Sequence, residues 1–119
     1  MPVRSLSSSV LTWPSQATVD VAIRRWAKRI AESHPEIMRV GYFGSYARGD
    51  AGVGSDLDVL LVVRHTSDRI EHRGLGWDTT SLPVPVDLLV FTSEELAAVD
   101  PSSRFGQVLQ HEAVWISIR

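Results

Sequence analysis

At 119 residues the chain has the length of one domain, with room for one core but not for a catalytic domain plus a full substrate domain. A hydrophobic fraction of 44% and a mean hydropathy near zero are those of an ordinary soluble globule. A net charge of −2 implies no bulk electrostatic attraction to nucleic acid or membrane, and the lack of cysteine excludes disulfides and thiolate metal sites while remaining compatible with a reducing cytoplasm.

Residues 1–14 read as a lead-in, too polar for a secretory core, and 15–119 as the domain itself. No apolar run approaches the roughly 18 residues of a membrane span. After Trp13-Pro14, Ser15 or Thr18 can cap a helix whose positive end Asp20 favours. Val19, Ile23, Trp26 and Ile30 form its apolar stripe, and Pro35 ends it. Arg24, Arg25, Lys28 and Arg29 lie off the stripe, either as a solvated face or as a docking surface for an acidic partner or nucleotide phosphates. The spacing predicts a strand over Ile37–Phe43, then a loop entering a short helix over Gly44–Gly49.

A flexible turn with Gly52 and Gly54 leads into a second strand, Asp56–Val63. Leu57, Val59, Leu61 and Val63 line one of its faces, while Leu60 and Val62 continue the other, so it is a central strand covered on both sides. Residues 64–85 are the least regular. Ser67–Arg73 suggests a short helix, broken by Gly74 and Gly76, and Thr79–Pro85 an extended loop. A third strand follows over Val86–Phe91, then a short helix over Ser93–Val99, a second capped by Ser102 or Ser103, and a last strand over Val114–Ile118. The order α-β-α-β-loop-β-α-α-β predicts an α+β fold, a mixed four-stranded sheet with helices packed on it.

The chemistry concentrates at Gly44-Ser45 and Asp56-Leu57-Asp58. Residues two apart in a strand face the same way, about 6–7 Å apart at Cα. Two like charges that close resist ionising together unless a cation sits between them, and hard oxygen ligands suit Mg²⁺ shared with substrate phosphates. Gly44-Ser45, between strand and helix, offers backbone N–H groups to a phosphate. Asp87 is a charge inside an apolar strand, costly unless paired or metal-bound. It is either a solvated strand-start residue after Pro85 or, if the second and third strands are neighbours, a third carboxylate able to complete a two-Mg²⁺ site. Arg48 can reach a phosphate or pair with Asp50. Alone, an Asp-x-Asp is often turn chemistry and a Gly-Ser often a cap. His34 reads as a helix end, His65, His72 and His111 as surface residues, and Trp13, Trp26, Trp77 and Trp115 as packing.

Gly44-Ser45, ten residues, then Asp56-x-Asp58 resembles the signature of the polymerase-beta-like nucleotidyltransferase superfamily. The fuller string Gly44-Ser45-x-Ala47-Arg48-Gly49 with Ser55-Asp56-x-Asp58 is similar to its minimal nucleotidyltransferase branch, and Pro85-Val86-Asp87-Leu88 resembles the strand carrying that family's third acid. The resemblance implies that Asp56, Asp58 and Asp87 are catalytic and bind two Mg²⁺ ions. It implies that Gly44 and Ser45, with Arg48 and Ser55, bind the nucleotide. The implied reaction moves AMP from ATP to a hydroxyl, a tyrosine of a HEPN toxin, making the chain the antitoxin of a hetero-oligomeric pair. The competing readings are a non-catalytic antitoxin acting by contact and a small-molecule, antibiotic-type nucleotidyltransferase. The first conflicts with the retention of all three acids, and the second with the lack of an acceptor domain. The family often places a clear helix between its second and third strands, where this chain has glycines and prolines over 64–85.

Overall fold

The computed structural model describes residues 13–66, 73–74 and 76–119. The first twelve residues of the expected lead-in, and the helix expected from Ser67 except for Arg73 itself, lie outside the described residues.

Helix α1 spans Gln16–Ser33. Ser15 is its cap, the Oγ accepting the Thr18 N–H at 3.1 Å. The predicted stripe faces inward: Val19, Ile23 and Trp26 are buried, Ile30 is half-buried, and Ala27 and Ala31 widen the face. The His34 N–H closes the helix on Ile30 O, and Pro35 begins the turn to β1 (Ile37–Phe43). The four cations are exposed. Asp20 sits one residue beyond the first turn and serves side chains instead, accepting Arg24 Nε at 2.9 Å and the Tyr42 hydroxyl at 2.6 Å.

A single turn, α2 (Ser45–Arg48), leads to β2 (Leu57–Val63), and β3 spans Val86–Thr92. Then come α3 (Ser93–Ala97), α4 (Arg104–Gln107) capped by Ser103, and β4 (Val114–Ile116). The second strand starts at Leu57 rather than Asp56, leaving Asp56 at its mouth. The last strand stops at Ile116 rather than Ile118, pairing with Val40, Gly41 and Tyr42 of β1. The third helix stops at Ala97 rather than Val99, and α4 continues into a π-helical turn, Val108–Glu112.

The sheet order is β3-β2-β1-β4, with β1 antiparallel to β2 and β4, and β2 parallel to β3. Leu57, Val59, Leu61 and Val63 pack with Val40, Tyr42 and the α1 stripe in one core. Leu60 and Val62 are buried on the opposite face, as expected of a strand covered on both sides. There Phe105 makes edge contacts with Phe43 and Phe91. The segment expected as an extended loop over 79–85 is a run of turns and bends that contributes Leu82 and Val84 to the core. Trp26 pins it, its indole N–H donating to Asp78 O at 2.8 Å.

Candidate active site

Strand β1 leaves the sheet at Gly44, whose φ of 79° and ψ of −154° lie where side chains are strained. A Cβ there would also overlap the Asp58 carboxylate. The turn is closed by Ala47 and Arg48 N–H groups, both 3.0 Å from Gly44 O. Tyr46, buried, braces it from below. Its hydroxyl accepts the Trp13 indole N–H at 3.4 Å and donates to Ser55 O at 3.5 Å, and its carbonyl accepts Gln16 Nε2 at 2.9 Å. One tyrosine thus spans from the Gly44-Ser45 turn to the residue before Asp56.

The acids come from two strands. Asp58 of β2 is the register partner of Asp87 of β3, and parallel partners face the same way. The Leu57 N–H donates to Pro85 O at 2.8 Å, which locks the two strand starts together. Asp56 precedes Asp58 by two residues and is exposed, as is Asp87, whereas Asp58 is half-buried. Burial pushes the Asp58 carboxyl above the usual range, and the negative charges of Asp87, Asp56 and Glu112 add to it against the opposing pull of Arg48. Among the described residues no three acids or histidines are gathered closely enough to form a preassembled ion-binding cluster. The chemistry of the side chains is that of a divalent hard cation's donors: carboxylates at the starts of the adjacent strands β2 and β3, one of them with its ionisation opposed, and a glycine packed against that carboxylate where a side chain would clash.

The remaining predicted residues divide. The half-buried Ser45 has a hydroxyl with no hydrogen-bond partner among the described residues, next to the turn. Ser55 Oγ accepts the Gly52 N–H at 2.9 Å and shapes the turn before Asp56. Arg48 pairs with Asp50 at 3.2 Å and with Glu112 at 3.3 Å.

The chain matches the profile of the nucleotidyltransferase domain over residues 23–108, well over half its length. It belongs to that family. No curated protein matches it. A crystal structure of a proposed nucleotidyltransferase from Sulfolobus solfataricus is 24% identical, covering 87% of this chain and 84% of that one at a TM-score of 0.62. A toxin–antitoxin structure with AMP-PNP is 19% identical, covering 81% and 73% at a TM-score of 0.55. A substituted form of the toxin–antitoxin pair MntA–HpeT is 17% identical, with the same coverage and a TM-score of 0.54. At these identities the likeness is one of fold.

The nucleotidyltransferase fold places one residue at this site that sequence reasoning missed. Glu112 Oε2 accepts the Gly44 N–H at 2.8 Å, and its other oxygen faces Arg48. No spacing signals this, because Glu112 lies 68 residues beyond Gly44. The π-helical turn that carries it is a form often found at functional sites.

Proposed function

We propose that this nucleotidyltransferase is Mg²⁺-dependent and transfers AMP from ATP to a hydroxyl of a partner protein, a tyrosine of a HEPN-type toxin, as that toxin's antitoxin. The observation that carries the reading is the parallel register pairing Asp58 with Asp87, with Asp56 two residues along the chain from Asp58 and Gly44 packed against the Asp58 carboxylate. Support for the pairing with a toxin is the fold shared with toxin–antitoxin structures, one of them with AMP-PNP.

Asp56, Asp58 and Asp87 are the groups that would hold two Mg²⁺ ions. When bound, the ions supply positive charge for the departing pyrophosphate and lower the barrier to in-line displacement. The chain's own part is positioning. Gly44 and Ser45 present an N–H and a free hydroxyl to the phosphates, and Arg48 adds a guanidinium. Ser55 holds the turn that aims Asp56. The acceptor oxygen attacks the α-phosphorus as the bond to the bridging β-phosphate oxygen breaks. Its proton passes to Asp87, and pyrophosphate leaves. Tyr46 keeps the phosphate turn and the first acid at fixed separation.

Incubating the protein with α-labelled ATP, Mg²⁺ and a HEPN-type toxin should label that toxin. Asp58→Asn should lower labelling on the order of a hundredfold or more, the scale of losing a transition-state charge interaction. Undiminished labelling by Asp58→Asn overturns the metal assignment. Full toxin neutralisation by that unlabelling variant shows that contact alone suffices.

A further inference from the structure

Glu112 occupies a position suited to an anion. It takes the Gly44 N–H at 2.8 Å and pairs with Arg48 at 3.3 Å, yet it also adds negative charge beside Asp58. It lines a shallow cleft of about 560 Å³ whose other polar lining residues are Arg48, Arg104, Gln107 and His111. Arg104 and His111 are exposed, and neither has a hydrogen bond or ion pair among the described residues. Arg48 is matched only by exposed Asp50 and by Glu112 itself. The cleft therefore holds one arginine, Arg104, with no partner among the described residues, beside the Arg48–Glu112 pair whose carboxylate takes the Gly44 N–H.

We propose that this cleft receives the terminal phosphates of a nucleoside triphosphate, with Arg104 as a binding residue beside Arg48, and that Glu112 is the internal anion those phosphates displace from Gly44. The inference rests on the nucleotidyltransferase reading and adds to it a basis for selecting triphosphates. A terminal phosphate carries more charge than a carboxylate and accepts more hydrogen bonds, so it competes well for the N–H and the guanidinium. Its arrival moves Glu112 away and sets a larger negative charge in its place beside the acids, which draws a divalent cation more strongly to them. Phosphate binding and cation binding are then coupled positively, each favouring the other.

The test uses inorganic tripolyphosphate in the presence of chelator, so that binding is read without metal or turnover. Calorimetric titration of the full chain should show Arg104→Ala weakening tripolyphosphate binding on the order of tenfold, the scale of one charge-assisted hydrogen bond, with AMP binding unchanged. Glu112→Gln should tighten tripolyphosphate by a similar factor, since the competing charge is gone while the side chain keeps its size. Thermal melts establish that both variants are folded. Unchanged tripolyphosphate affinity in either folded variant overturns the proposal. If α-labelled ATP still modifies its acceptor in that case, the enzymatic reading survives alone. If tripolyphosphate binding depends on Arg104 and Glu112 but no acceptor is ever labelled, the cleft stands and the transferase reading falls.

Discussion

Asp58 and Asp87 stand opposite each other in the parallel register of β2 and β3, two carboxylates that the fold brings together at the cost of their mutual repulsion. Burial and like charge raise the Asp58 pKa, so its stabilising contribution is present below the usual carboxylate value and is lost as pH rises through the folded value. At neutral pH, without divalent ions, ionised Asp58 is therefore a destabilising group. Asp58→Asn should raise the melting temperature by on the order of 2 °C at pH 7 while removing activity. A thermal melt with chelator checks it. A lower melting point for the variant contradicts the repulsion argument.

Adding a divalent cation should act in the same direction on the unaltered protein. Mg²⁺ or Mn²⁺ at about a hundred times its dissociation constant adds about 2.7 kcal/mol through mass action, and the melting temperature should rise accordingly. Chelator should reverse the shift. Asp87→Asn should blunt the response by removing one of the three negative charges that would hold the ion. An equal rise in Asp87→Asn would show that the ion binds elsewhere.

Gly44 is strained for any other residue, by its φ of 79° and by the Asp58 carboxylate in the place of a Cβ. Gly44→Ala should cost about 1–3 kcal/mol, as expected of a non-glycine residue held in an unfavourable backbone region. It should also lower labelling more than stability alone accounts for, since the new methyl group displaces Asp58. Urea unfolding together with α-labelled ATP incorporation separates the two effects. Unaltered stability and labelling would mean that the turn tolerates a side chain.

Glu95 joins two elements. It accepts the Thr92 N–H in the capping box that starts α3, and Arg73 meets its two oxygens at 2.6 and 3.1 Å. Chiefly because of the Arg73 hydrogen bond, its pKa is lowered to about 2 from an ordinary value of 4.5. A lowered carboxylate pKa means stability that is present above 4.5 and lost as pH falls toward about 2. Glu95→Gln should cost about 1 kcal/mol at pH 7, modest because the Glu95 side chain is 41% exposed. The gap to the unaltered protein should close between pH 4.5 and about 2. Denaturant titrations across that range test it; a gap independent of pH would remove the charge from the explanation.

Trp26 carries both core volume and the tether to Asp78 O. Trp26→Ala should cost about 3–5 kcal/mol, the range for deleting a large buried aromatic. Trp26→Phe keeps most of the volume but loses the indole donor, so it should chiefly increase amide exchange across 78–84. Hydrogen exchange unchanged in that loop would show that Leu82 and Val84 hold it without the tether.

Much of this protein was legible from its residues in order. The α1 stripe and the apolar runs of β1, β2 and β3 follow from periodicities of a few residues, which backbone geometry imposes locally, and cap-forming side chains narrowed each helix start to two candidates, of which the structure uses Ser15 and Ser103. Which acids and cations meet is another matter. The hydrogen bond from Leu57 to Pro85 aligns Asp58 with Asp87, Trp26 draws Leu82 and Val84 into the core, and Glu112 crosses 68 residues to reach Gly44. Such pairings depend on how separate elements close on one another, and no local period encodes the distance between chain segments that meet only once the sheet has formed.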